Sequence, residues 1–451
     1  MSINFDNLNF KSITRNILIG IFLVILMQYN KDLSLVKAQQ EIGMDFMMQI
    51  SAGTSVPDGI TPYVMLDIDS KTYRSWDEPV LTPHDKLIKL INYSVKGGAV
   101  ITIVDIDVSV TSERDSTELS KYFVSLAEYL STSKSQHVFL MKTFKERIDG
   151  ESPQYRLQRS SELDEIVSSS DYIHWTSPLF ELDTDMTVRR WRLVEKTCFN
   201  NTPVIIPSAQ LLAYALKNET DTGVIYKKLS GFLPDNCKEW QGLVSDSIKF
   251  GDATVNLNSD KVLKRIIYEM PWSYQGDYAY PYTSVVQNGN EVSVPLFTAL
   301  SAGIIANSTS SVDASIVNNR NVIIGASYPG SRDVYSTPLG LMPGSVIVLN
   351  SLHSLISYGD IKPVSTWMIL LVNIILISII TCLYSFISPI AASLVSGLLT
   401  AIVILPAGML LFKDGIWLDF AVPLIVVQIV EVLARAEMLW LKYKDKQDDN
   451  V

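Results

Sequence analysis

Two pairs of aspartates could bind a cation. Asp67 and Asp69 end the apolar run YVMLDID, and Asp105 and Asp107 end the run AVITIVDID. Residues two apart on a strand share a face, and ligands of open parallel sheets bind beyond the carboxyl ends of the strands. These acids could therefore hold calcium or magnesium through oxygen ligands. The alternative, in which they cap loops and helices, is favoured because strand-end aspartates are common.

A second charged segment, DTDMTVRR, covers residues 183–190. Arg189 and Arg190 could hold an anionic ligand through charge-assisted hydrogen bonds. An internal salt-bridge network with the acids of the same segment is the favoured alternative.

A glycine-rich loop, GASYPGSRDVYSTPLGLMPG, covers residues 325–344. It lacks the Gly-Lys-Ser/Thr of a phosphate-binding loop. Arg332 and Asp333 could line the same strand-end cleft as the aspartate pairs, and a purely structural loop is an equal alternative. The chain has no G-x-G-x-x-G, G-x-S-x-G, H-E-x-x-H or kinase signature. We therefore predict no enzymatic activity and no cofactor.

Cysteine and histidine give little support for a metal site. Three cysteines exclude a disulfide-dense scaffold, and the four histidines are too scattered to suggest zinc. Cys198 and Cys237 could pair in an oxidising compartment, and free thiols are an equal alternative.

The elements that position these residues follow an α/β pattern. Apolar runs predict strands at 63–69, 99–107 and 137–144, and helical spacing predicts helices at 84–95 and 116–130. This β-α-β-α-β order implies a mostly parallel sheet. A further core strand is predicted at 321–326 and a helix near 346–356. The less regular stretch 145–320 is interpreted as an insertion or loop-rich second lobe.

Composition points to lipid and away from nucleic acid. The chain has 451 residues, a net charge of -10 and only 19% charged residues. Soluble domains average about 25% charged residues, and a nucleic-acid-binding protein would show a basic stripe.

Four apolar segments are predicted to cross a membrane as helices, at 16–30, 366–387, 390–412 and 416–434. The first is interpreted as a retained signal anchor, with a cleaved signal peptide as the alternative. Asp419 and Glu431 in the last segment are ionisable groups near lipid, which are functional candidates by default. The favoured alternative is a position at the membrane–water interface without a functional role, because each residue lies near an end of the segment.

Basic residues set the predicted orientation. Lys11 and Arg15 precede the first segment, and Arg435 with several lysines follows the last, so both termini are predicted to be cytoplasmic. The expected order is a cytoplasmic N-terminus at 1–15, an exported domain at 31–365 and a cytoplasmic tail at 435–451. That tail is too short and polar to fold alone.

Five segments of the exported region resemble the CHASE type 2 domain, an extracellular sensory domain associated with bacterial cyclases and histidine kinases. The glycine of the family's D-D-G-x-x-R-R segment is Met186 here, and only Trp76 and Pro79 remain of its W-P-W-P-R run. The matching segments are LDIDSKTYRSW (66–76), TPHDKLIKLI (82–91), VDIDVSV (104–110), LDTDMTVRRW (182–191) and VIIGASYPGSRDVYSTPLGLMPG (322–344).

The resemblance implies a sensor that lacks its own cytoplasmic output domain. The expected protein is a multi-pass subunit of the bacterial inner membrane with its large domain in the periplasm. It would bind a ligand or partner there and signal through its membrane helices to other proteins, in a hetero-complex or homo-oligomer. The candidate ligand-binding residues are Asp67, Asp69, Trp76, Asp105, Asp107, Arg189, Arg190, Arg332 and Asp333.

Two other functions stay open. The exported domain could be a scaffold in a multiprotein envelope complex, with no small ligand. The chain could also be a membrane enzyme or an ion pathway that uses Asp419 and Glu431.

Overall fold

The structure is a computed structural model, and the chain divides into two compact units. They are Met1–Ile50 with Ile361–Val451, and Ser51–Asp360. Residues 31–50, which the sequence assigned to the exported domain, therefore fall in the first unit. The described residues are 10–30, 34–53, 59–109, 113–145, 156–199, 202–219, 221–231, 233, 237, 247–256, 263–273, 280–287, 290–359, 362–363, 365–386, 391, 394–395, 397–398, 402, 405–413 and 416–417.

The helices and strands are numbered in chain order. The helices are α1 (Phe10–Tyr29), α2 (Ser34–Ser51), α3 (Ser70–Ser75), α4 (His84–Lys96), α5 (Glu113–Ser133), α6 (Asp164–Ser169), α7 (Ala209–Asn218), α8 (Thr222–Ser230), α9 (Ala302–Ala306), α10 (Gly344–Tyr358), α11 (Thr366–Phe386) and α12 (Leu405–Lys413). The strands are β1 (Tyr63–Ile68), β2 (Ile101–Val104), β3 (His137–Met141), β4 (Arg156–Leu157), β5 (Ile173–Thr176), β6 (Phe180–Leu182), β7 (Val188–Arg192), β8 (Val194–Phe199), β9 (Thr202–Pro207), β10 (Ser247–Phe250), β11 (Ala253–Asn256), β12 (Leu263–Arg265), β13 (Tyr282–Gln287), β14 (Asn290–Pro295), β15 (Phe297–Ser301), β16 (Asn321–Ala326), β17 (Val334–Thr337), β18 (Gly340–Pro343), β19 (Lys362–Pro363) and β20 (Ile416–Trp417).

A six-stranded parallel sheet forms the centre of the unit Ser51–Asp360. Its strand order is β15-β1-β16-β2-β3-β5, and every neighbouring pair is parallel. All residues of β1 and β2 are buried, as expected for apolar strands covered on both faces. The α/β fold and the mostly parallel sheet predicted from the sequence are confirmed.

Helices cover the two faces of this sheet unequally. Residues of α4, α5, α6 and α9 join one apolar core with the side chains of Leu66, Val104 and Ile324. The helix α10 packs on β16, β1 and α7 instead. The strand β16 therefore leads into α10 on one face, whereas its neighbour β2 leads into α5, which belongs to the core on the other face.

The stretch 145–320, expected to be an insertion or loop-rich second lobe, holds two strands of the central sheet, β5 and β15, together with several small sheets. The small sheets include β12-β7-β6, β4-β8-β9 and the hairpins β10-β11 and β13-β14. A bridge between Thr187 and Ser336 brings the β6-β7 hairpin beside the β17-β18 hairpin. Since β17 begins directly after Asp333, this bridge places the insertion next to the predicted strand-end cleft.

In the other unit, α1 packs against α11, and Val24 and Ile377 are buried. Among the residues whose side chains the structure describes, no helix is long and apolar enough to cross a membrane. Residues 416–417, predicted to begin a helix, pair instead as β20 with β19. Asp419, Glu431 and the tail 435–451 lie outside the described residues.

Candidate functional site

The candidate site lies where the connections of the central sheet diverge. Because β16 and β2 are neighbours whose following helices pack on opposite faces, a crevice opens beyond their carboxyl ends, the usual ligand position in open α/β sheets. A cavity of ≈ 480 Å³ occupies this position. Cavities of about 300–1,000 Å³ accommodate small molecules.

Asp105 reaches the cavity at the end of β2. Its backbone N–H donates to Ile324 of β16 at 2.9 Å, and its Oδ2 accepts a hydrogen bond of 2.7 Å from Ser345 Oγ. This contact requires glycine at position 325. A Cβ there would overlap Ser345 Oγ and come within 2.6 Å of Ser345 Cβ. Gly325 therefore lets α10 approach the sheet closely enough for Ser345 to reach Asp105.

Asp333 lies beside Asp105 at the start of α10. A Cβ on Gly344 would overlap both of its carboxyl oxygens and come within 2.7 Å of its Cγ. The backbone carbonyl oxygen of Asp333 accepts a hydrogen bond of 2.8 Å from the Gly344 N–H, and Tyr335 acts on the carboxyl group by lowering its pKa. Two carboxyl groups thus contact the consecutive residues Gly344 and Ser345, at the helix end where the dipole favours negative charge.

Burial opposes the ionisation of these acids. Loss of hydration raises the pKa of Asp105, although the Ser345 hydrogen bond opposes the shift. Burial, and then the charge of Asp105, raise the pKa of Asp333 to about 8 against the Tyr335 and Gly344 hydrogen bonds. Two interacting carboxyl groups titrate as a pair. At neutral pH this pair therefore retains a proton.

A buried lysine in the cavity lining was missed by the sequence analysis. The Lys142 side chain is 0% exposed, and its Nζ lies 2.5 Å from Asp164 Oδ1 and 4.4 Å from the centre of the Trp175 ring. Burial lowers the pKa of Lys142, whereas Asp164 and then Asp107 raise it. Lys142 follows β3 directly, so the strand-end rule applied to that strand would have found it.

Apolar side chains form most of the rest of the cavity wall, together with Thr82, Thr143, Lys145 and Ser331. Asp107 also lines the cavity, and its Oδ1 accepts hydrogen bonds from Ser109 N at 2.9 Å and Thr143 Oγ1 at 2.8 Å. The exposed end includes Val80, which is 98% exposed. The apolar and aromatic lining residues are Val80, Leu81, Ile106, Met141, Phe144, Pro178, Leu179, Ala326 and Tyr328.

The other aspartates of the predicted pairs have local partners. Asp69 caps α3 by accepting from Thr72 N at 2.7 Å. Asp67 accepts from Ser327 Oγ at 2.7 Å, and burial, and then the charge of Asp69, raise its pKa to about 7. Neither residue lines the cavity described above. Among the described residues, no group of three acids, histidines or cysteines could hold a metal ion.

The paired arginines form ion pairs within their own hairpin. Arg189 Nη1 lies 2.9 Å from Asp183 Oδ2 and Nη2 lies 2.7 Å from Asp185 Oδ2, whereas Arg190 Nη1 lies 2.8 Å from Asp183 Oδ1. The Arg189 hydrogen bond holds the pKa of Asp185 well below its usual range. Met186 in the same turn has φ 62°, a left-handed conformation that favours the glycine found there in the resembled family.

Three other predicted residues lie away from the cavity. Trp76 belongs to the apolar core, and its Nε1 donates to Asn307 Oδ1 at 2.9 Å. Arg332 is exposed and does not line the cavity. Cys198 on β8 is disulfide-bonded to Cys237. Of the predicted ligand-binding residues, the structure brings Asp105, Asp107 and Asp333 together in one cavity.

Comparison with known proteins identifies the family of the chain. The family model of the CHASE2 domain matches residues 18–383, which is most of the sequence and includes the whole parallel sheet. Neither a curated protein nor a solved structure gives a match. The chain therefore belongs to the CHASE2 family of extracellular sensory domains.

Proposed function

We propose that the chain is a non-enzymatic sensory subunit of the bacterial inner membrane. Its periplasmic domain binds a ligand or partner and passes the signal through membrane helices to a separate output protein. The observation that carries this proposal is the cavity at the divergence of β16 and β2, where Asp105 and Asp333 meet the start of α10.

The helix α10 provides the route out of the cavity. Its first residues, Gly344 and Ser345, contact the two carboxyl groups, and it ends at Tyr358, shortly before α11 begins at Thr366. A ligand that changes the charge or position of the carboxyl pair alters the contacts of α10. Signalling requires that the ligand bind two states of the domain with different affinities.

Sequence and packing together support the proposed membrane arrangement. The segments 16–30, 366–387, 390–412 and 416–434 carry the apolar residues of four proposed spans. Two of these segments lie in α1 and α11, which pack together within one unit. Basic residues before the first span and after the last one favour cytoplasmic termini.

The internal pairing of the charged groups supports a binding role for the cavity. Lys142 is paired with Asp164, and Asp107 is hydrogen-bonded to Ser109 and Thr143. Internal partners hold these side chains in place, which suits a preformed binding cavity.

The test is purification of the tagged full chain from its native membranes in mild detergent, with mass spectrometry of the co-purifying proteins. We expect a stoichiometric kinase or cyclase. The variant combining Asp105→Asn and Asp333→Asn should retain this partner but change its activity. The matched control is Asp252→Asn, an exposed position in the β10-β11 turn, which should leave the partner's activity unchanged.

A different result would support a scaffold. A large fixed assembly of several envelope proteins, with the same composition and activity in the cavity variant, would contradict the sensory function. The cavity would then be part of the architecture of that assembly.

A further inference from the structure

Two carboxyl groups at one end of the cavity have no cationic partner. Asp105 accepts a hydrogen bond from a neutral group, Ser345 Oγ, and a Cβ on Gly344 would meet both carboxyl oxygens of Asp333. In the described part of the chain, no lysine, arginine or histidine forms an ion pair with either carboxyl group. A buried carboxylate is normally paired with a cation, so the pair retains a proton that a cationic ligand can replace.

The buried lysine of the cavity is already paired. Lys142 Nζ contacts Asp164 at 2.5 Å and lies over the Trp175 ring. The second lysine of the lining, Lys145, is exposed, so water screens its charge. A ligand that enters the cavity therefore meets a carboxyl pair without a cationic partner and a buried lysine that is held by Asp164.

The remaining wall suits the body of an organic cation. Tyr328 and Phe144 line the cavity, and the Tyr328 ring is held by stacking on Tyr73 at 4.0 Å between ring centres. Aromatic faces attract cations that lie within about 6 Å. Aliphatic neighbours such as Leu81 and Leu179 add apolar surface. A bare metal ion would instead need several oxygen ligands.

We propose that the cavity binds a small organic amine, with its ammonium group between Asp105 and Asp333 and its apolar body against the aromatic and aliphatic wall. This inference rests on the proposed function, because it names the chemical class of the sensed ligand. The ammonium takes the place of the proton shared by the two carboxyl groups, and that proton is released to solvent.

The test is calorimetric titration of the full chain in detergent with three probes of the same shape. They are phenethylamine, phenethyl alcohol and 3-phenylpropionate. We expect phenethylamine to bind at least tenfold more tightly than the other two, and to release protons at pH 7. The affinity should increase from pH 6 to pH 8, because the amine competes with a proton.

Variants connect this binding to the carboxyl pair. Asp333→Asn, a nearly isosteric change, should weaken phenethylamine binding at least tenfold and abolish the proton release. Asp313→Asn, at an exposed site that accepts from Ser315 N, should bind like the natural chain. Circular dichroism would check that each variant is folded.

Two outcomes would overturn the inference. One is binding of the alcohol or the acid that is as tight as, or tighter than, the binding of phenethylamine. The other is equal phenethylamine binding by the Asp333→Asn variant and the natural chain, which includes the case in which neither binds it. Tight binding of the acid would overturn the amine and leave the cavity as a sensory site. The sensory function itself fails only if the cavity variant also leaves the co-purifying partner unchanged.

Discussion

At the scale of single residues, the site depends on two carboxyl groups that are only partly exposed to water. The hydrogen-bond donor to Asp105 is the neutral hydroxyl group of Ser345. Neutral donors lower the cost of burying a carboxylate without removing it. The two groups therefore titrate as a pair. Because the folded pair retains a proton that an unfolded aspartate loses, the stability of the domain must depend on pH.

The substitution Asp333→Asn tests this dependence. The folded pKa of Asp333 is about 8, above the value of about 3.9 for an unfolded aspartate. The contribution of Asp333 to the stability of the folded domain is thus fully present below pH 4 and is lost as pH rises towards 8. We expect the stability of the variant relative to the natural chain to increase by about 1.4 kcal/mol for each pH unit between pH 5 and pH 8, or about 4 kcal/mol over that range.

Thermal unfolding of the full chain in detergent across this pH range would measure the effect. The groups around the carboxyl are Asp105, Tyr335 and the N-terminus of α10, and Tyr335, whose pKa burial and then the Asp333 charge raise to about 12, stays protonated throughout. The control Asp252→Asn should follow the natural curve. A variant whose stability relative to the natural chain does not increase over this range would contradict the prediction.

At the scale of elements, the distance between α10 and the sheet is set by one missing side chain. Gly325→Ala would place a Cβ against both heavy atoms of the Ser345 side chain, so α10 must move outwards. Overpacking of this kind costs about 1–3 kcal/mol. We expect chemical denaturation to show a loss of about 2 kcal/mol for Gly325→Ala.

The second variant, Ser345→Gly, makes this prediction specific. It removes the atoms that the new Cβ meets, so the double variant should lose at least 1 kcal/mol less than the sum of the two single changes, within the usual range of coupling between residues in contact. Gly231→Ala provides a control, because its Cβ would meet no side chain and only two carbonyl oxygens, at 3.3 and 4.0 Å. Strict additivity would show that this contact does not set the position of α10.

The same elements show how much of the fold could be predicted from the sequence. The apolar runs predicted β1, β2, β3 and β16 because buried parallel strands need continuous apolar residues. The sequence placed Asp333 in one strand-end cleft with both aspartate pairs, whereas the structure brings Asp333 beside Asp105 and leaves Asp67 and Asp69 outside the cavity. Local periodicity places neighbours on a face, but contacts between a loop and a distant strand depend on strand order. The position of β16 between β1 and β2 is such a tertiary feature.

At the scale of the whole molecule, the proposal requires the cavity and the chain termini to lie on opposite sides of a membrane. The carboxyl pair contacts the start of α10, and only residues 359–365 separate the end of α10 from α11. In the proposed arrangement, this short connection carries the signal from the exported domain to the membrane spans. If the segments 16–30 and 366–387 did not cross the membrane, ligand and output protein would share one compartment.

Reporter fusions test this arrangement on the intact chain. Alkaline phosphatase is active only after export, and green fluorescent protein folds well in the cytoplasm. We expect phosphatase inserted in the exposed β10-β11 turn, at Asp252, to be active, and phosphatase fused after residue 451 to be inactive. Green fluorescent protein at the same two sites should give the opposite pattern. Active phosphatase at both sites, or at neither, would contradict the proposed four spans, because an even number of crossings must return the C-terminus to the side of Lys11 and Arg15.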